Sequence, residues 1–386
     1  MKSKNLLVIT GLFLGVFVIG ADSFIISPLL PNIAMDFQAS ISQAAFGVTA
    51  YALCEMIGAP LFGPLGDRFS KRKLLLLGIS IFLIGTLLCA LSPNLISFYI
   101  FRAIAGFGAA LFLPNVWAFI GGYFEVKTMN KVMGIVMSAL SLSVALGVPL
   151  GSFLAQLSSW QMAFWASAVL SVLSGLVILL VIPNTLPSKT KLHYTSAFKK
   201  IFMMKKVPQV LSISFFYMFS FYTIYTFLGS YLTNTFHFSL TQRGFVFFTY
   251  GLVNFIAAIF GGSFMNKVGR ENSILFNSAA SVILALGLGI LGQNFPLLII
   301  SLILLAITMG LGVTAISALI VTTAPQNRST IMSFNSSVLY LGLTLASALG
   351  GIIYQTHGFP PLAFSSAFGF LLALCFIWRI KNSEKF

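Results

Sequence analysis

Seven carboxylates occur in 386 residues, and only two of them, Asp22 and Glu55, interrupt long apolar stretches. The other acids (Asp36, Asp67, Glu125, Glu271 and Glu384) fall in loops or tails. Among the basic residues, Arg102 alone lies well inside an apolar stretch. An ionisable group at the centre of a membrane helix costs ~2.5–3.5 kcal/mol on insertion scales, which makes it a functional candidate. A carboxylate set between desolvation and a movable cation can take up and release a proton. Asp22 and Arg102 suit that chemistry if their helices face one cavity, and the same two residues suit a permanent structural ion pair. Glu55, one turn from Tyr51 and Ala59, reads either as a second proton site or as an acid hydrogen-bonded to a neighbouring helix.

Composition dictates the elements that must hold these groups. Hydrophobic residues make up 58% of the chain and charged residues 8%, with mean hydropathy +0.99. Soluble domains carry roughly 25% charged residues. A bilayer is the solvent that fits, at about 20 apolar residues per spanning helix. Twelve stretches qualify: about 6–30, 42–64, 74–92, 95–120, 132–156, 162–183, 208–232, 243–265, 273–292, 295–324, 330–355 and 360–380. The expected fold is therefore all-α, integral to the membrane, with an uncleaved first span. The ninth and tenth spans part at "GQNFP" (292–296), where Gly and Pro mark a turn.

The net charge of +15 follows the topology. Twelve spans put both termini on one side, and every basic residue except Arg102 and Arg243 falls on that side. The asymmetry predicts cytoplasmic termini. It also removes nucleic acid as the reason for the basic excess. The segment 184–207, basic and containing Pro and Ser, reads as a cytoplasmic linker between six-helix bundles at 1–183 and 208–386. Cys54, Cys89 and Cys375 sit in apolar stretches at no metal-like spacing, and His193, His237 and His357 have no partner ligands in the sequence. No metal or other cofactor is expected. Phosphate-binding loops, zinc-protease helices and nucleophile elbows are missing from the sequence, which argues against ATP hydrolysis and against any catalytic residue. Energy would then come from an ion gradient, worth ~2.3 kcal/mol per proton per 100 mV.

The densest charge lies in "GPLGDRFSKRK" (63–73), and it has an echo 199 positions on, "GSFMNKVGREN" (262–272). Gly63 falls on Gly262, Asp67 on Asn266, Arg68 on Lys267 and Lys71 on Arg270. Six helices repeated in one orientation make a parallel repeat, two bundles related by a pseudo-two-fold axis around a midplane site. A positive-inside anchor explains the basic residues, including Arg72, but neither the acid nor the returning glycine. On the seventh span, Phe215, Phe219, Tyr222 and Tyr225 form an aromatic stripe. It could stack on planar or cationic substrates; lipid-facing packing is the alternative.

At these residues the chain resembles the major facilitator superfamily. The loop 63–73 is similar to its signature between helices two and three, with Ser70 where glycine is usual; the second copy keeps Gly269 and carries Asn266 for the acid. "FYIFRAIAGFGAA" (98–110) resembles the fourth-helix signature, and "LGVPLGSFLAQ" (146–156) the exporter motif of the fifth helix, built on Gly147, Pro149 and Gly151. The latter, with "SFNSSVLYLGLTLASALGG" (333–351), resembles the twelve-span drug:proton antiporter branch that includes arabinose- and purine-efflux-like exporters. The resemblance implies alternating access, with helices one and four lining the cavity. It also implies that Asp67 and Arg68 latch the inner helix ends in the outward-facing state. The expected protein is a monomeric, proton-coupled exporter of small, amphipathic or drug-like molecules in the bacterial cytoplasmic membrane. An importer or facilitator of a sugar or nucleoside is the alternative on the same fold, and a transport-inactive sensor the alternative of another class.

Overall fold

The computed structural model describes residues 3–62, 65, 69–184, 204, 206–323 and 328–383. The helices are α1 (Ser3–Asp36), α2 (Ile41–Phe62), α3 (Lys71–Ala90), α4 (Leu95–Tyr123), α5 (Val126–Leu142), α6 (Val148–Leu157) and α7 (Gln161–Val181), then α8 (Lys206–Phe236), α9 (Leu240–Val268), α10 (Arg270–Leu291), α11 (Phe295–Thr323), α12 (Arg328–His357) and α13 (Phe359–Ser383). A π-turn, Ser143–Gly147, joins α5 and α6 into one span. Twelve helical segments are long and apolar enough to cross a membrane. Hydrocarbon offers the backbone no partners, so helices that satisfy their own N–H and C=O groups are the available solution.

Helix ends follow local chemistry. Asn94 caps α4 by accepting from Ser97 N at 2.9 Å, and Ser239 caps α9 by accepting from Gln242 N at 3.3 Å. Between α9 and α10 a single residue, Gly269, turns the chain with φ 91°, a value that disfavours any side chain. Ser70, at the matching place before α3, has φ −58°, so the two copies differ in backbone conformation at this position. Glu271, read from the sequence as a loop residue, belongs to the first turn of α10.

The first span is longer than its composition suggests, running past Leu30 through Pro28 and Pro31 to Asp36. Prolines deprive the carbonyls four residues earlier of a donor, which neighbouring helices can compensate inside a bundle. Here α8 and α9 supply the neighbours. Gly229 packs so closely that a Cβ would lie 2.2 Å from Ser27 O, and Arg243 Nη1 donates to Pro28 O.

Packing repeats across the two halves of the chain. α2 packs on α4 as α9 does on α11, and α3 packs on α4 as α10 does on α11. Likewise α7 lies against α1 and α3 as α13 lies against α8 and α10. The halves meet through α2 with α12, α5–α6 with α9, and α1 with α8, a set that a two-fold axis maps onto itself. The start of α1 and the end of α13 lie on one face, and the opposite face is termed distal. The apolar core is shared unequally. One cluster runs from the second half into the distal part of the first, through Ile25–Ala34, Phe98 and Trp160. The remainder of the first half, including Val8–Ile19 and Phe112–Ile120, forms a separate cluster towards the termini. The halves are thus joined by apolar packing at their distal ends.

Candidate functional site

The Gly-rich stretch of α4 brings three helices close enough to bury a guanidinium. A Cβ on Gly106 would lie 2.3 Å from Tyr51 O, and one on Gly108 would lie 2.2 Å from Phe82 N. These backbone contacts hold α4 against α2 and α3, and Arg102 lies in the narrow slot between α4, α2 and α1. Its Nη1 donates to Asp22 Oδ2, with both side chains essentially without solvent exposure. Nε donates to Gly47 O at 3.4 Å, and the guanidinium lies 4.3 Å from the centre of the Tyr51 ring. The Tyr51 hydroxyl in turn accepts from Ser23 Oγ at 3.0 Å.

Glu55 continues this group one turn along α2 and is buried. Its carboxyl faces the hydroxyls of Tyr340 and Tyr51, so it reaches from the first half of the chain to α12 of the second. Asp22 Oδ1 and Glu55 Oε2 have no hydrogen-bond partner in the protein. Buried carboxylate oxygens are ordinarily satisfied, so two orphans in one cluster mark it as a place with spare binding capacity. Asp22, Arg102 and Glu55 are thus brought into one network through Tyr51. Sequence reading named the charged members, placed Tyr51 one turn from Glu55 without a role, and missed Tyr340 and Ser23. Their signal was slight, since a tyrosine four residues before a buried acid is common in a chain this rich in aromatics.

The aromatic stripe of α8 divides. Phe215 and Phe219 stack on each other at 6.1 Å and are half-buried. Tyr222 and Tyr225 are buried against α1, with Phe24 at 6.3 and 5.4 Å. Both tyrosines line a cavity of ≈ 10 Å³ between the halves, together with Ser23, Ser27 and Val48. Tyr217 points elsewhere and donates to Thr308 O at 2.8 Å.

In the exporter-like segment, the π-turn ends at Val148, whose N–H donates to Ser143 O, five residues back. Pro149 follows with no N–H to give, and the wider turn absorbs that break. Gly147 and Gly151 lie against Ala21 and Ile25 of α1, where a Cβ would come within 2.6 and 2.7 Å. The segment is therefore the seam between α1 and α9. Gly63, Asp67 and Arg68, with the latch assigned to them, lie outside the described residues. Lys71 and Arg72 open α3, and Arg72 Nη2 donates to Leu179 O. In the second copy Asn266 and Lys267 end α9, while Arg270 pairs with Glu271 at 2.6 Å and reaches Thr322 Oγ1 at 2.5 Å. Arg243, given no role by the sequence, is buried and ties α9 to α1 through Pro28 O and Asn32 Oδ1, the latter at 2.9 Å. Among the described residues no His, Cys, Asp and Glu cluster could hold a metal.

Comparison with known proteins decides what kind of molecule carries this network. The profile of the Major Facilitator Superfamily matches residues 12–293 and 210–385. The chain belongs to the major facilitator superfamily. An uncharacterized MFS-type transporter of Bacillus subtilis (strain 168), YwfA, is 33% identical over 97% of this chain and 93% of its own length. Multidrug resistance protein 2 of the same organism is 24% identical over 99% of this chain and 97% of its own. The human organic anion transporter MFSD10 (TETRAN) shares the fold, with a TM-score of 0.76 at 18% identity over 98% of this chain and 100% of that one. The protein is accordingly a multi-pass membrane transporter of small molecules, not an enzyme.

Proposed function

We propose that this transporter is a proton-coupled exporter of small, amphipathic or drug-like molecules, working by alternating access between bundles 1–183 and 208–386. The observation that carries the reading is the buried Asp22–Arg102 pair, joined through Tyr51 to a second acid that reaches the opposite bundle. Asp22 is the carboxylate that takes the coupled proton, and Arg102 sets its readiness to do so. Protonation neutralises Asp22, weakens its hold on Arg102 and loosens a slot shared by three helices. Relatives named for multidrug resistance support the export direction and the substrate class. The basic asymmetry supports cytoplasmic termini and linker in a bacterial cytoplasmic membrane. With that orientation, the apolar packing at the distal ends supports an inward-facing arrangement. Asp67 and Arg68 act as the latch of the opposite, outward-facing state, and the monomer is the working unit.

Substrate-induced proton release from purified protein tests the assignment. Wild type releases protons on binding substrate, Asp22→Asn does not, and Glu55→Gln retains most of the signal. An Asp22→Asn protein that releases protons and drives uphill export at the wild-type rate would transfer the role to Glu55. Labelling of Lys199→Cys by an impermeant reagent in intact cells would overturn the orientation.

A further inference from the structure

The internal repeat shows where charge was placed and where it was left out. Tyr51 and Glu55 of α2 have counterparts at the same 199-residue offset in α9, Tyr250 and Asn254. The acid of the first half is an amide in the second. Asn254 Nδ2 donates to Ala306 O at 3.1 Å, which fixes the amide within its own half. Every charged residue of α8–α13 lies near a helix end; Arg243 is buried at the distal edge of the layer between the halves, where Pro28 O and Asn32 Oδ1 hold its guanidinium, and the wall of the second half beyond it carries no charge.

That wall is aromatic, and its hydroxyls are unfinished. Tyr225 and Tyr250 have ring centres 6.0 Å apart, Phe221 lies 5.1 Å from Tyr225 and 6.0 Å from Tyr250, and Phe24 of α1 closes edge-on over Tyr225 at 5.4 Å. Both tyrosines are buried, at 4% exposure each, yet neither hydroxyl has a hydrogen-bond partner in the protein. Tyr217, about two turns before Tyr225, by contrast donates to Thr308 O. An unpaired buried hydroxyl costs about 1–3 kcal/mol, and phenylalanine would fill the same space without that penalty. Two such groups side by side, with Tyr225 lining the cavity between the halves and Tyr250 packed behind it, are explained if something else supplies their acceptors.

We propose that Phe24, Phe221, Tyr222, Tyr225 and Tyr250 form the substrate-recognition face, and that it takes an uncharged, planar aromatic compound bearing hydrogen-bond acceptors. As the halves part, the rings that now pack on one another offer their faces to the plane, and the Tyr225 and Tyr250 hydroxyls donate to its acceptor atoms. The first half handles protons, and the second reads the substrate. This assignment rests on the transport reading above, in which the space between the halves is the path.

Acridone, a neutral planar fluorophore with a carbonyl acceptor, is the probe, and its fluorescence polarisation is followed with the full chain in nanodiscs. Binding is expected for wild type, with about a tenfold loss in each of Tyr225→Phe and Tyr250→Phe, the equivalent of one hydrogen bond. Both variants should unfold no earlier than wild type, because each sheds an unsatisfied group. Tyr217→Phe should do the reverse, losing stability while keeping acridone affinity. No acridone binding by wild type, or unchanged affinity in both phenylalanine variants, overturns the proposal. So does binding of cationic proflavine alone with loss in Glu55→Gln, which would make Glu55 a cation site. Asp22→Asn separates the two readings. Loss of proton release with acridone binding intact supports both, whereas intact proton release with intact binding removes only the coupling assignment.

Discussion

Exchanging both members of the Asp22–Arg102 pair separates what the pair does for stability from what it does for transport. In Asp22→Asn the guanidinium stays in a slot where its other contacts are Gly47 O at 3.4 Å and the Tyr51 face at 4.3 Å. Removing one member of a buried ion pair costs ~3–5 kcal/mol because the other charge is left uncompensated. The lower end, about 3 kcal/mol, applies here, since the amide oxygen can still accept one hydrogen bond from Nη1. Arg102→Met leaves Asp22 charged, with Oδ1 already unpartnered, and belongs near the upper end. The double variant Asp22→Asn/Arg102→Met removes both charges, and replacing a buried pair by uncharged groups of similar volume is often neutral or stabilising. Unfolding of the three variants in mixed micelles should therefore show two large losses and a recovery of most of them in the double variant. Proton-driven export in proteoliposomes should show no such recovery. A stable double variant that cannot couple identifies the pair as transport machinery. A double variant that exports at the wild-type rate under a pH gradient would refute the reasoning and leave a structural ion pair.

Three further outcomes follow from the packing. Arg243→Met removes the tie from α9 to Pro28 O and Asn32, so distal labelling of Ser347→Cys by an impermeant maleimide should rise several-fold; unchanged labelling would mean the distal ends are held by apolar packing alone. Gly229→Ala places a methyl 2.2 Å from Ser27 O and should prevent full distal closure, seen as the same rise in Ser347→Cys labelling without loss of expression. Gly269→Ala forces a side chain to φ 91°, a cost of roughly 1–2 kcal/mol in unfolding, whereas Ser70→Ala at the first copy should be tolerated because its φ is −58°.

Much of the architecture was legible in the chain because hydrocarbon imposes one-dimensional rules. A span must be apolar and about 20 residues long, so Asp22, Glu55 and Arg102 stood out against their neighbours, and the break at 292–296 fell where α10 ends and α11 begins. The repeat was visible too, because the loops 63–73 and 262–272 keep their residue types at a fixed offset. Helix ends were less legible. Pro28, Pro31 and Asn32 look like the end of a span, yet α1 continues, with Gly229 packed on Ser27 O, which Pro31 leaves without its helical donor, and Arg243 donating to Pro28 O from some two hundred residues later. Partners of the charged residues were hidden for the same reason. Nothing in one strip of sequence says that Tyr51 lies under Arg102 or that Tyr340 faces Glu55, because those contacts depend on how closely α2, α4 and α12 approach. That approach is set by where glycines allow backbones to touch, as at Gly106 against Tyr51 O. The sequence by itself determined that this chain spans the membrane twelve times with a few buried charges. Tertiary packing alone decided which charges are paired, which hydroxyls are left without partners, and which faces of the two halves meet, because each depends on distances between helices that composition does not encode.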